Sequence, residues 1–435
     1  MAMFCLLEDQ LSRFIGAKDD FVPWLVGFGV FLPMFFTLSG GLYRSSTVST
    51  DSGGVLMTLP LPLSVLTCGV AILCFLPRVR EAGAALLAIF LMISGVAISL
   101  LIAGEHDIKP DRKLIASLQV LLPFSGLLLG QLLGGSYNSV AKSFLVTLSL
   151  VVPMQLFGPV ATSPWADGEG FLTDQVGFFT IYSHIQFVTL IFVCAFAYVV
   201  GHLFDQYRLW VLGMCVLMLF YVLKSNSYLT MGAYACVVVA LLFSRGYFMI
   251  KNLKYCLAAL FVFVAAAMVL FSTFEQEGGK SGPLWNFASS AYNKMQPLVE
   301  GKIPQNVRER IHDWKLFGSG VLQSPKTVFV GHAQPMPREI RSSAHNWYID
   351  IAYTFGIIGI LPVVGLMLYS GRLCWLYRRS IPSQTWWLVG IVFYLVAIDS
   401  NFKVTLRQPY PGIFAFFMWG LLLTRLNEIK LSSSH

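Results

Sequence analysis

The sequence predicts an all-α polytopic membrane protein with about 12 transmembrane helices and a large basic outer loop before the last three. Composition is the first reason: of 435 residues, 56% are hydrophobic and only 12% charged, against roughly 45–50% and about 25% in soluble domains. The mean hydropathy of +0.69 is the second. The third is that bilayer-length apolar runs recur along the chain, leaving 274–345 as the one long polar segment. A soluble multi-domain enzyme is excluded.

Apolar stretches with polar or Gly/Pro breaks between them give candidate spans at 21–42, 54–76, 83–103, 113–134, 142–161, 178–203, 208–224, 228–246, 253–273, 346–370, 384–401 and 408–425. Residues 1–20 carry Glu8, Asp9, Arg13, Lys18, Asp19 and Asp20 and show no cleavable signal pattern, so the run from Phe21 is expected to remain as the first helix. Three regions follow: a nine-helix transmembrane part over 1–273, an extracytoplasmic loop over 274–345, and three C-terminal helices with a short tail over 346–435. An even number of spans puts both termini on one side. With the termini inside, fourteen of the 30 basic residues, among them Arg78, Arg80, Arg378 and Arg379, face the cytoplasm. Only seven fall in short outward loops. The excess of basic residues in one set of loops therefore predicts cytoplasmic termini and an outward-facing 274–345 loop.

The 30 Lys and Arg against 22 Asp and Glu give a net charge of +8, which basic loops facing anionic lipid explain without nucleic acid. Seven of the eight cysteines lie in or at the ends of apolar runs and Cys5 in the N-terminal segment, so no disulfide is expected. The 274–345 loop holds nine basic residues against six acidic ones, a net +3. A cationic excess on the outer face runs against the bias that sets topology, and an anionic ligand at the membrane surface is one reason for it.

Where this loop enters the tenth span the chain reads Ser343-Ala344-His345-Asn346-Trp347-Tyr348-Ile349-Asp350, with Gly356 and Gly359 further on. Helical spacing places Ala352, Gly356 and Gly359 beneath His345, where small side chains allow a close helix approach. An imidazole at a wet interface can take a proton from a hydroxyl at neutral pH, as a general base must. Asp350 lies five residues beyond His345, about 140° round a helix, so an outer Arg or Lys is its expected partner.

The run His345-Asn346, nine residues, then Gly356-x-x-Gly359 resembles the His-Asn-x9-Gly-x-x-Gly pattern of the O-antigen ligase and O-antigen polymerase superfamily, bacterial membrane glycosyltransferases. The segment Arg310-Ile-His-Asp-Trp314, followed by Gly318, Gly320 and Gly331, is similar to the Arg-x-x-x-Trp and Gly-rich stretch that precedes the histidine in that family. The resemblance implies a GT-C-like fold in the bacterial inner membrane and a metal-independent inverting transferase without cofactor. Its donor is a glycan on undecaprenyl diphosphate, and its acceptor a sugar hydroxyl or the lipid A core. A chain-length regulator is compatible with it as a partner.

In this reading His345 is the catalytic base, and Arg308, Arg310, Arg338 and Arg341 are the candidates to hold the departing diphosphate, since a guanidinium meets phosphate oxygens in bidentate fashion. Family members often carry a Ser-Arg pair after the middle outward turn, where this chain has Lys224-Ser225-Asn226-Ser227. Lys224 then supplies a point cation there instead of an arginine fork. On that departure a polymerase of lipid-linked repeats is favoured over a ligase.

Other features carry less. Asp167-Gly168-Glu169 reads as a turn, and no metal site is expected from it. Tyr182 and His184 are candidates to line a sugar site, and Asp399, Lys403 and Arg407 mark a short outward turn that can join the acceptor site. Trp285, Trp314, Trp347, Tyr292 and Tyr348 suit either sugar stacking or membrane anchoring. A transporter with a basic vestibule is the competing class, but no internal repeat is visible.

Overall fold

The computed structural model describes residues 18–31, 68–73, 76–103, 110–157, 185–225, 227–251, 300–301, 305–337, 340–341, 343–407 and 409–433. Among these the protein is 85% helix with no strand, as apolar runs require where backbone groups must be satisfied within the segment. In chain order the helices are α1 (Lys18–Phe31), α2 (Gly83–Ala103), α3 (Pro110–Leu121), α4 (Phe124–Leu132), α5 (Tyr137–Phe157), α6 (Ile185–Leu203), α7 (Arg208–Ser225), α8 (Tyr228–Lys251), α9 (Gln305–Val321), α10 (Pro325–Val330), α11 (Trp347–Leu376), α12 (Ser383–Phe393) and α13 (Pro409–Ser432). A 3-10 stretch, Leu76–Ala82, precedes α2. After α12 the chain continues through a π-helical turn at Tyr394–Asp399 and a short helix at Ser400–Phe402 into a 3-10 turn at Thr405–Arg407.

Among the described residues four stretches are long and apolar enough to cross a membrane: Gly83–Ile102, Trp347–Leu376, Ser383–Phe402 and Pro411–Ser432. Shorter apolar helices occupy Phe21–Val30, Ala116–Leu132, Val188–Leu203, Arg208–Leu223 and Leu229–Ser244. The expected span 253–273 lies outside the described residues, as does most of 54–76. The run 113–134 divides into α3 and α4 around Pro123, which lacks the N–H that would continue the ladder. Leu87, Phe90 and Leu101 of α2 expose 60–85% of their surface, as suits helices embedded in lipid.

The core is organised round α6, in which residues 188–203 are all buried; a helix apolar all round belongs inside. It packs against α5, α7, α8 and α12. The closest pairing is α4 with α13, where Gly126 and Gly130, four residues apart, bring their backbone onto Ile413, Phe417 and Gly420.

Helix α11 is not continuous. Gly356 has φ +65°, and the helix breaks there. The carbonyls of Tyr353 and Thr354, released by the break, accept the N–H groups of His332 (2.9 Å) and Ala333 (2.8 Å) from the segment after α10. Gly331, with φ +68°, faces Gly356 so closely that a Cβ on either would meet the other strand of backbone. Helix α10 itself starts in a capping box: Ser324 Oγ accepts the Thr327 N–H at 3.1 Å, and Thr327 Oγ1 accepts the Ser324 N–H at 2.9 Å. The Ser99 hydroxyl of α2 donates to the carbonyl of Val330. The outer-loop segment is thereby fastened at the break in α11.

Candidate active site

Helix α9 is amphipathic, and its inward stripe of Arg310, Asp313, Trp314 and Phe317 includes an acid. Phe317 packs with Met336 and Ala344 and meets Tyr353 edge-on at 5.3 Å, seating α9 on the first half of α11. Asp313 is thereby carried to zero exposure. A buried carboxylate needs hydrogen-bonded partners, and it has three: Arg341 Nε at 2.6 Å, Arg341 Nη2 at 3.2 Å and His345 Nδ1 at 3.1 Å. Since the carboxylate accepts, the neutral imidazole carries its proton on Nδ1, leaving the Nε2 lone pair free. Nε2 meets no described residue, and the ring is 44% exposed.

His345 has φ +52°, a left-handed backbone that costs a non-glycine residue about 1–2 kcal/mol. Its neighbours hold it there. The Ala344 N–H donates to Asp350 Oδ1 at 2.7 Å, and Asp350 Oδ2 accepts from Arg407 Nη1 at 2.7 Å. Asn346 caps α11 by accepting the Ile349 N–H at 3.1 Å, while its Nδ2 reaches the carbonyl and side-chain oxygens of Asn401, each at 3.2 Å. The π-helical turn supplies further acceptors: the Leu395 carbonyl takes the Ser400 hydroxyl (2.7 Å), Val396 the Tyr348 hydroxyl (2.8 Å) and Ala397 the Asn401 amide (2.7 Å). Such turns commonly mark functional sites.

A third buried carboxylate, Asp399, lies 3.4 Å from Lys403 Nζ and accepts the Thr405 hydroxyl. Burial pulls the Lys403 ammonium down from its usual value, with Asp399 acting against the shift. Arg310 is half-buried between Asp399 and Asp313; burial lowers its pKa and the two carboxylates oppose this. It forms no hydrogen bond to a described residue, so its guanidinium fork remains available.

The sequence candidates therefore separate. His345, Arg310 and Arg341 converge, with the Arg341 fork spent on Asp313. Arg308 points into solvent from α9. Lys224 is in the last turn of α7, its side chain outside the described set, and Arg338 lies wholly outside it, as do Asp167, Glu169, Tyr182, His184, Trp285 and Tyr292. Gly356 is the break in α11, and Gly359 lies one turn on, where a Cβ would meet Phe355 and Ile351 of its own helix. The expected small-residue stripe beneath His345 is thus interrupted at Gly356. Asp350 pairs with Arg407, not with His345. Sequence reasoning missed Asp313; its signal was an acid at three- to four-residue spacing on the apolar stripe of α9.

No metal-ligating cluster of three or more His, Cys, Asp or Glu occurs among the described residues. The site defines a class no narrower than a helical membrane protein with an oriented, accessible histidine. The sequence matches no protein-family model and no curated protein.

Proposed function

We propose that the protein is a glycosyltransferase of bacterial surface polysaccharide assembly, moving a glycan from undecaprenyl diphosphate to a sugar hydroxyl at the outer face of the inner membrane. The observation that carries this reading is the half-exposed His345, its Nδ1 on buried Asp313, with the unbonded fork of Arg310 on the same helix as that aspartate. In the reaction His345 Nε2 takes the acceptor hydroxyl proton. The oxygen attacks the anomeric carbon, the bond to the diphosphate oxygen breaks with inversion, and undecaprenyl diphosphate leaves. The leaving group is already a stable anion, so cations suffice to receive it. Arg310 takes this role.

Twelve spans with both termini cytoplasmic, and the 274–345 loop on the outer face, belong to the same reading. A polymerase of lipid-linked repeats is favoured, with ligation to lipid A core as the alternative. The test is complementation of a deletion strain by wild type and His345→Ala, following surface glycan and lipid-linked intermediates. The expected result is normal membrane abundance, no product and accumulated donor. Single lipid-linked repeats would identify a polymerase and long lipid-linked chains a ligase. Full product from His345→Ala would overturn the reading.

A further inference from the structure

Asp350 and Arg407 form a buried ion pair: their side chains are 1% and 18% exposed. The Asp350 carboxylate makes no hydrogen bond to the His345 ring, and the contact it makes is with the backbone next to that ring. Asp350 Oδ1 accepts the Ala344 N–H, one residue before the left-handed His345. Arg407 comes from the 3-10 turn after α12 and fixes the other oxygen of the carboxylate at 2.7 Å. On the far side of His345, Asn346 is tied to Asn401 of the same connection. The residue is thus gripped before by Asp350 of α11, itself fixed by Arg407, and after by Asn401, so the chain between α12 and α13 bears on both sides of it.

We propose that Asp350 and Arg407 are positioning residues, a brace that holds His345 in the backbone conformation from which its Nδ1 meets Asp313 and its Nε2 faces the acceptor. This rests on His345 being the general base. A left-handed backbone at a non-glycine residue persists only where its surroundings over-determine it. Released from the brace, residues 344–346 relax toward negative φ, and the imidazole swings off Asp313. Proton removal then suffers while substrate contacts stay intact. The brace works as a unit, because either partner alone leaves a buried charge unpaired.

The test uses full-length protein in lipid vesicles with lipid-linked donor, comparing Asp350→Asn, Arg407→Gln, the uncharged pair Asp350→Asn/Arg407→Gln, and Arg407→Lys. The double variant removes both buried charges together and so guards against loss of fold. The brace requires kcat to fall about tenfold or more in each single neutral variant, with KM for donor and acceptor within about twofold. The double variant should be no slower than the slower single one, with Arg407→Lys between wild type and Arg407→Gln. An unchanged kcat in Asp350→Asn overturns the proposal. So does a raised donor KM confined to the Arg407 variants, which would make Arg407 a substrate contact, or a kcat loss wholly matched by lost folded protein in the double variant. Wild-type activity in His345→Ala, run alongside, would instead remove the general-base reading.

Discussion

Among the described residues two clusters hold a histidine, an arginine and a carboxylate, and they lie at opposite ends of α13. Near its C-terminal end Arg425 bonds Glu428 at 2.8 Å and lies over the ring of Tyr137, whose hydroxyl reaches Glu428 at 3.4 Å. His202 completes this group, its ring tilted by 37° against Tyr198 at 4.1 Å, with Nδ1 bonded to the Tyr198 carbonyl of its own helix. Just before the N-terminal end, Arg407 belongs to the network that sets His345. The same residue types do different work. His202 is buried in ordinary helical backbone, bonds a neutral carbonyl of its own helix and stacks on Tyr137 of α5 at 6.2 Å. His345 is half-exposed, has a left-handed backbone and bonds a buried carboxylate. Exposure, strain and a charged partner together separate His345 from a packing histidine.

The contrast can be broken most sharply at Asp313. Asp313→Asn keeps the size of the side chain but removes the charged acceptor that orients the ring through Nδ1, and a loss of about 10²-fold in kcat is expected at normal abundance, in the range seen when orienting carboxylates are neutralised. Steady-state transfer assays measure it. Arg310→Gln should lower kcat/KM for the lipid-linked donor by roughly 10- to 100-fold, the worth of one or two charge-assisted hydrogen bonds. Arg308→Gln, at a solvent-facing position of the same helix, should stay within about twofold. Donor titrations distinguish the two.

Stability sharpens the comparison next. Gly356→Ala places a Cβ against the Phe329 carbonyl at φ +65°, and about 1–3 kcal/mol of destabilisation is expected. Gly365, further along α11, has open space around it, so Gly365→Ala should change stability by no more than about 1 kcal/mol. Thermal unfolding in detergent compares them. Smallest of all, His202→Phe should cost about 1 kcal/mol through the lost hydrogen bond and leave transfer per folded molecule unchanged.

Much of the fold could be read from composition and apolar run length, because a bilayer demands both. The 83–103 and 346–370 runs, for example, recur as α2 and α11. The break at Gly356 could not, since apolarity does not distinguish a helix from a helix interrupted by docking of Gly331. In the site, His345 was legible from a local motif at the mouth of a span. The expectation that Asp350 seeks an outer cation rested on helical geometry, and Arg407 fills that place. Asp313 was not legible, because its pairing with His345 spans 32 residues of sequence and depends on how α9 seats against α11. The arginines could not be ranked from sequence either: one of two near neighbours on α9 turns inward and the other outward.

The most direct test of the central claim is the single-turnover transfer rate of reconstituted His345→Ala with its lipid-linked donor and acceptor, set beside His202→Ala as the control. The expected result is a loss of roughly 10²- to 10⁴-fold for His345→Ala, the usual worth of a general base, with His202→Ala near wild type per folded molecule. A His345→Ala rate within about twofold of wild type would contradict it.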